Sequence, residues 1–147
     1  MTSPVALPEP ESSRLPWQTK LAALLAVGVA RLLAGRPPRR IAWVLRRLAR
    51  RARPATMAEA QVARATVVAV SMLCAGEGCL PRSLGTALLC RLRGTWPTWC
   101  AGARTAPFAA HAWVEVAGEP VGEPHPAGYY RALVTVPPPG RAAEEAD

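Results

Sequence analysis

Two residues in this sequence pair a reactive side chain with a setting that could use it, Cys79 and His111. Cys79 follows Gly76-Glu77-Gly78, a turn signal, and precedes Leu80-Pro81. Proline in a first helical turn gives up an N–H that would lack an intrahelical partner anyway, so a helix is expected to begin here. A thiol at a helix start lies among unpaired amides and the positive end of the dipole, which favours the nucleophilic thiolate. Alone, such a cysteine is more often a packing residue. A base within reach changes that balance. His111 lies in Ala109-Ala110-His111-Ala112-Trp113-Val114-Glu115-Val116, whose alternation puts His111, Trp113 and Glu115 on one strand face. An imidazole held by packed neighbours could pair with a thiolate and later act as general acid. The plainer reading is a half-buried histidine bonded to nearby backbone. His125, between Pro124 and Pro126, reads as a loop residue.

A third group should accept the second imidazole N–H, and Glu115, Glu119 and Glu123 are the candidates. Nine of the ten acids are Glu and the only Asp is Asp147, so a buried carboxylate in this chain has to be Glu. Ala117-Gly118 marks a hairpin whose loop length sets the register. A three-residue loop would place His111 opposite Glu123; a two-residue loop would place Ala112 there and is expected to disqualify Glu123.

The elements that must hold these groups are legible in outline. Residues 18–34 are rich in Leu, Ala and Val and predict a helix ending near Gly35 and Pro37-Pro38. A second helix is expected over 39–52, with Ile41, Val44, Leu45 and Leu48 on one side and Arg39, Arg46, Arg47 and Arg50 on the other. Thr56-Met57-Ala58-Glu59 has the pattern of a capping box opening a third helix, apolar nearly all round from Val62 to Leu73 and expected to be the central one. The helix from Cys79 should turn Leu84, Leu88 and Leu92 to the core and end at Gly94. Strands are expected over 96–103, 109–116, 120–123 and 133–136. Helices followed by strands predict an α+β fold with an antiparallel sheet.

With 147 residues, half of them hydrophobic, the chain can bury a core and is not disordered throughout. Its net charge of +8 is local: nine arginines and no acid lie between residues 31 and 53, and the remainder carries 9 basic and 10 acidic residues. Abundant Ala, Gly, Pro and Arg without Asn also fits a GC-rich genome. Trp43 falls among the arginines and could be a binding anchor or a cation–π partner, or a lone aromatic on a solvated face. Cys74, Cys79, Cys90 and Cys100 are separated by gaps that hold no CxxC pair, which argues against zinc. The apolar run 21–30, between Lys20 and Arg31, is about half of the ~20 residues that span a bilayer, and no cleavage site follows it. Reduced thiols, a cytoplasmic setting and no transmembrane segment are therefore expected.

GEGCLPRSLGTALLCRLRG, FAAHAWVEV and PVGEPHPAGYYRALVTV together resemble the transglutaminase-like peptidases of lasso-peptide biosynthesis, the bacterial B proteins related to microcin-processing proteins. The likeness covers roughly residues 57–136 and is strongest around Cys79 and His111. It implies a papain-like cysteine peptidase without cofactor: Cys79 as nucleophile, His111 as acid/base, and Glu123 where the family usually has Asp. It also implies the reaction, release of the leader from a ribosomally made precursor. Some relatives carry a fused winged-helix recognition domain. Residues 1–56 offer no strands for one, so the resemblance implies the split form. The partners would be the precursor's leader, a separate leader-recognition protein and an ATP-dependent lasso cyclase.

The expected organisation is a mobile tail (1–16), an arginine-rich helical segment (17–56), the peptidase core (57–136) and a Pro/Glu tail (137–147). Trp43, Arg46, Arg47 and Arg50 are the expected docking face for an acidic partner. The alternatives are a non-enzymatic basic module for nucleic acid or an anionic membrane, and a transglutaminase-like acyl transferase.

Overall fold

A computed structural model describes residues 15–71 and 78–140. Four helices come first among these: α1 (Trp17–Ala34), α2 (Pro38–Ala49), α3 (Met57–Val70) and α4 (Cys79–Leu92). Two short strands, β1 (Arg53–Pro54) and β2 (Thr95–Trp96), pair in parallel and tie the α2–α3 connection to the chain leaving α4. The main sheet is antiparallel, in the order β5 (Glu119–Pro120), β4 (Phe108–Val116), β3 (Thr98–Thr105), β6 (Arg131–Val136). The fold is α+β, with the helices gathered on one side of a small sheet.

Local chemistry accounts for the helix boundaries. Pro37 and Pro38 separate α1 from α2, with Pro38 in the first turn of α2. The capping box is formed: the Glu59 amide donates to Thr56 Oγ1 at 3.2 Å and the Thr56 amide donates to Glu59 Oε1 at 3.1 Å. Helix α2 ends at Ala49, short of the expected residue 52, because Arg50 is already extended and Arg51 takes a left-handed φ of 66°. Helix α3 ends at Val70 with Ser71 extended; the expected last turn to Leu73 runs into residues outside those described.

The central helix is α4, not α3. Every residue of α4 from Ser83 to Cys90 is buried, whereas Val62 of α3 is 56% exposed. Apolarity all round misled because α3 is made largely of alanine and valine, which an outer layer tolerates. In α4, by contrast, Ser83, Gly85, Thr86 and Ala87 are small enough for neighbours to close on every side. Helix α1 packs on α4 and α3, and the sheet contacts α4 through β4 and β3. Leu84 and Leu89 are fully buried, which stabilises the fold by about 1.5–3 kcal/mol each. Leu92, expected in the core, is 54% exposed because the helix runs out beneath it. Trp96 and Trp99 fill the space between α4 and the sheet, the Trp96 indole donating to the Val136 carbonyl at 3.0 Å and the Trp99 indole to Ser83 Oγ at 3.1 Å.

Arg53 extends the capping box into an ion pair, with its guanidinium 2.6 Å from Glu59 Oε2. That hydrogen bond, followed by the Thr56 amide, holds the Glu59 carboxyl down at about 2, against an ordinary 4.5. A carboxylate lowered in the folded state adds stability above its unfolded value and loses it as pH falls through the folded one. Glu59→Gln should therefore lower the melting temperature at neutral pH, and the gap to the unaltered protein should close between pH 4.5 and about 2. The pair lies at the surface, so added salt should narrow the gap too. Thermal melts across that range check this; a pH-independent gap would refute the contribution of Glu59.

Candidate active site

Cys79 is the first residue of α4. Gly78 precedes it at the N-cap and, having no side chain, makes no cap hydrogen bond of its own. The thiol is half-buried and lines a cavity of about 360 Å³. Ala34, Arg36, Pro38 and Ile41 from the α1–α2 corner close one side of it, and Trp99, Ala101, His111 and Ala112 of the sheet close another. The structure thus brings Cys79 and His111 to one cavity.

His111 stands opposite Gly102 in the β3–β4 ladder. Gly102 is required there by crowding: a Cβ on it would sit 2.0 Å from the Arg131 carbonyl oxygen, where β3 and β6 close on each other at a bulge. The imidazole is 15% exposed and its Nε2 lies 2.8 Å from Glu123 Oε2. That contact leaves Nδ1 as the ring nitrogen not engaged by Glu123.

Glu123 reaches His111 by a route that the register argument did not foresee. The hairpin loop is the two-residue one, Ala117 and Gly118 both having positive φ, with Val116 opposite Glu119 and Glu115 opposite Pro120. The expectation that this register would disqualify Glu123 is wrong, because it assumed that the strand runs on to residue 123. Strand β5 stops at Pro120; one further bond, from the Val121 amide to the Val114 carbonyl, ends the pairing. Gly122 then turns the chain with φ +64°. A side chain there would be strained and would meet the Arg64 side chain at 2.9 Å. Glu123 leaves the ladder altogether and comes back to the bare edge of β4.

Its carboxylate is 8% exposed and is compensated from two sides, by His111 and by Arg64 of α3 at 3.9 Å. Burial, then the nearby Arg82 charge, lowers the Arg64 pKa, while Glu123 raises it. Of the other acids weighed, Glu115 accepts the Trp113 indole N–H at 3.2 Å and Glu119 is exposed in the hairpin.

Aromatic rings complete the surroundings of His111. Trp113 and Tyr130 both stack with the imidazole, at centroid distances of 5.8 and 4.7 Å. Tyr130 comes from the segment between β5 and β6, which is braced in turn: Arg104 of β3 donates to the Tyr129 hydroxyl, and Tyr129 stacks on His125 at 3.8 Å. Trp113, His125 and Tyr130, together with the hairpin and Glu123, line a second cavity of about 430 Å³ beside the imidazole. Sequence reasoning missed Arg64, Tyr130 and the bracing by Arg104. The adjacent Tyr129-Tyr130 pair was a signal; nothing local marks Arg64, an arginine in the mostly apolar stretch of α3 that follows Gln61.

Trp43, Arg46, Arg47 and Arg50 lie elsewhere. All four are exposed, the first three on α2 and Arg50 just past its end, with the Arg47 guanidinium 5.2 Å over the Trp43 ring, and none lines the Cys79 cavity. Among the described residues no cluster of His, Cys, Asp or Glu could hold a metal ion. Cys74 lies outside the described residues.

The transglutaminase-like superfamily matches residues 23–135 of the chain, a span that includes Cys79, His111 and Glu123 and also most of α1. The fold is accordingly of the cysteine-peptidase-like or acyl-transferase-like kind. No curated protein and no solved structure matches the chain.

The thiols should differ in reactivity. Burial pushes the Cys90 thiol up to about 11, and Cys90 and Cys100 are both buried. Iodoacetamide at mildly alkaline pH should modify Cys79 of the folded protein well ahead of Cys90 and Cys100, as read by peptide mapping, and all three at similar rates after unfolding. Equal rates in the folded protein would contradict this placement of the thiols.

Proposed function

We propose that this chain, which belongs to the transglutaminase-like superfamily, is a cysteine peptidase that removes the leader from a ribosomally made lasso precursor. The observation that carries the reading is the 2.8 Å contact between His111 and the buried Glu123 carboxylate, on an imidazole sharing a cavity with a helix-start thiol.

In this reading the Cys79 thiolate attacks the carbonyl carbon at the leader–core junction, and the backbone amide of Cys79 donates to the oxygen as it becomes negative. His111 gives its proton to the departing core amine. A water then enters, His111 takes one of its protons, and the thioester is hydrolysed to a free leader carboxylate and the original thiol. Glu123 holds the imidazole through Nε2–H and stabilises its charged form. Arg36, in the wall of the Cys79 cavity, adds positive charge on the thiol side.

The motif Cys79-Leu80-Pro81-Arg82-Ser83-Leu84 together with His111-Ala112-Trp113-Val114-Glu115 supports the narrower assignment to lasso biosynthesis. A separate recognition protein would deliver the leader, and an ATP-dependent cyclase would consume the new amine. The superfamily also supports a second outcome for the same thioester, transfer to an amine. Product masses separate the two, since hydrolysis adds water and transfer joins the acyl group to the amine.

Incubating the precursor with this protein and its recognition partner should release the leader, and Cys79→Ala should abolish release. Glu123→Gln should slow turnover by about two to four orders of magnitude, since an amide holds the imidazole less well and cannot balance its charge. Unchanged cleavage by Cys79→Ala would refute the mechanism.

A further inference from the structure

A surface built by α1 and α2 adjoins the Cys79 cavity at Arg36. Leu21, Leu24, Leu25 and Leu32 recur at helical spacing on the side of α1 opposite its buried alanines and are 56%, 52%, 59% and 75% exposed. Trp17, at the start of the same stripe, is 68% exposed. Taken whole, α1 has 18 residues and is long and apolar enough to cross a membrane by length and composition alone. Its other side argues against crossing, since Ala23, Ala26 and Ala30 are buried against α3 and α4.

Charge identifies what could cover such a stripe. From Trp17 to Arg53 there is no acid, while Lys20 and nine arginines fall in that stretch. Lys20 and Arg31 border the stripe at 100° per residue. A groove lined by Leu33, Arg36, Arg39, Arg40, Trp43 and Val44 carries the surface from α1 onto the arginine face of α2, where Trp43 is 60% exposed. An anionic bilayer presents a sheet of negative charge above a continuous apolar layer and so complements both features; an acidic protein surface answers the arginines but leaves a stripe along the whole of α1 uncovered. Tryptophan favours the boundary between the two layers, and long arginine side chains reach back to phosphate.

We propose that the α1–α2 face docks the protein on anionic membrane, with α1 lying in the plane of the interface. Trp17 and the four leucines enter the acyl boundary, and the α2 arginines contact lipid phosphates. Arg36 lines both the corner groove and the Cys79 cavity, so docking sets the thiol cavity beside the membrane surface.

Vesicle co-sedimentation of the full chain is the test. The protein should pellet with vesicles of phosphatidylcholine mixed with phosphatidylglycerol, stay in solution with phosphatidylcholine alone, and be released as salt rises. Leu25→Gln with Leu32→Gln, and separately Arg46→Glu, Arg47→Glu and Arg50→Glu together, should each weaken partitioning by about tenfold or more. All five side chains are exposed, and unchanged melting curves check that the variants fold. The salt titration gives the same answer without any substitution. The proposal is overturned by equal binding to both vesicle types, by binding to neither, by insensitivity to salt, by variants that bind as the unaltered protein does, or by capture of an acidic protein with no vesicle binding.

Discussion

The arrangement around the cavity depends on one buried anion. A carboxylate as enclosed as Glu123 is costly unless its charge is met, and it is met by His111 at 2.8 Å and Arg64 at 3.9 Å. Those partners come from a central strand and from helix α3, so the same contacts that neutralise the carboxylate join three separate parts of the fold. The edge of β4 must be bare at His111 for this to happen. Pro120 has no N–H to donate, β5 ends there, and the left-handed Gly122 swings the next residue back into the gap.

The thiol depends on a different constraint, the burial of α4. A helix enclosed along its middle cannot slide, so its first residue has a fixed position relative to the sheet. The Trp99–Ser83 hydrogen bond pins α4 to β3 near the cavity that Cys79 and His111 share. Sheet and helix thus bring the imidazole and the thiol to one cavity by independent means, the preorganisation that the proposed acyl chemistry would need.

Much of this was legible in the chain. The capping box at Thr56, the prolines at 37 and 38, the helix start at Cys79 and the strand through His111 all carry local signals, because caps, prolines and alternation act within a few residues. What the sequence hid was tertiary. Helices α3 and α4 are both apolar, and only packing shows that α4 is the enclosed one. A two-residue loop does not by itself exclude Glu123, since where a strand stops depends on what covers its edge. Arg64 gave no sign at all: its partner is 59 positions away. The exposed stripe of α1 was hidden in the same way, because a leucine-rich helix reads as core until the structure shows which side is covered.

The central claim is that Glu123 fixes the imidazole through Nε2, leaving Nδ1 for the thiol. Nitrogen-15 NMR of the His111 ring in the folded protein tests it directly. The account predicts a proton on Nε2 in slowed exchange with water, and its faster exchange in Glu123→Gln. A neutral ring protonated on Nδ1 alone, or an Nε2 proton indifferent to residue 123, would contradict it.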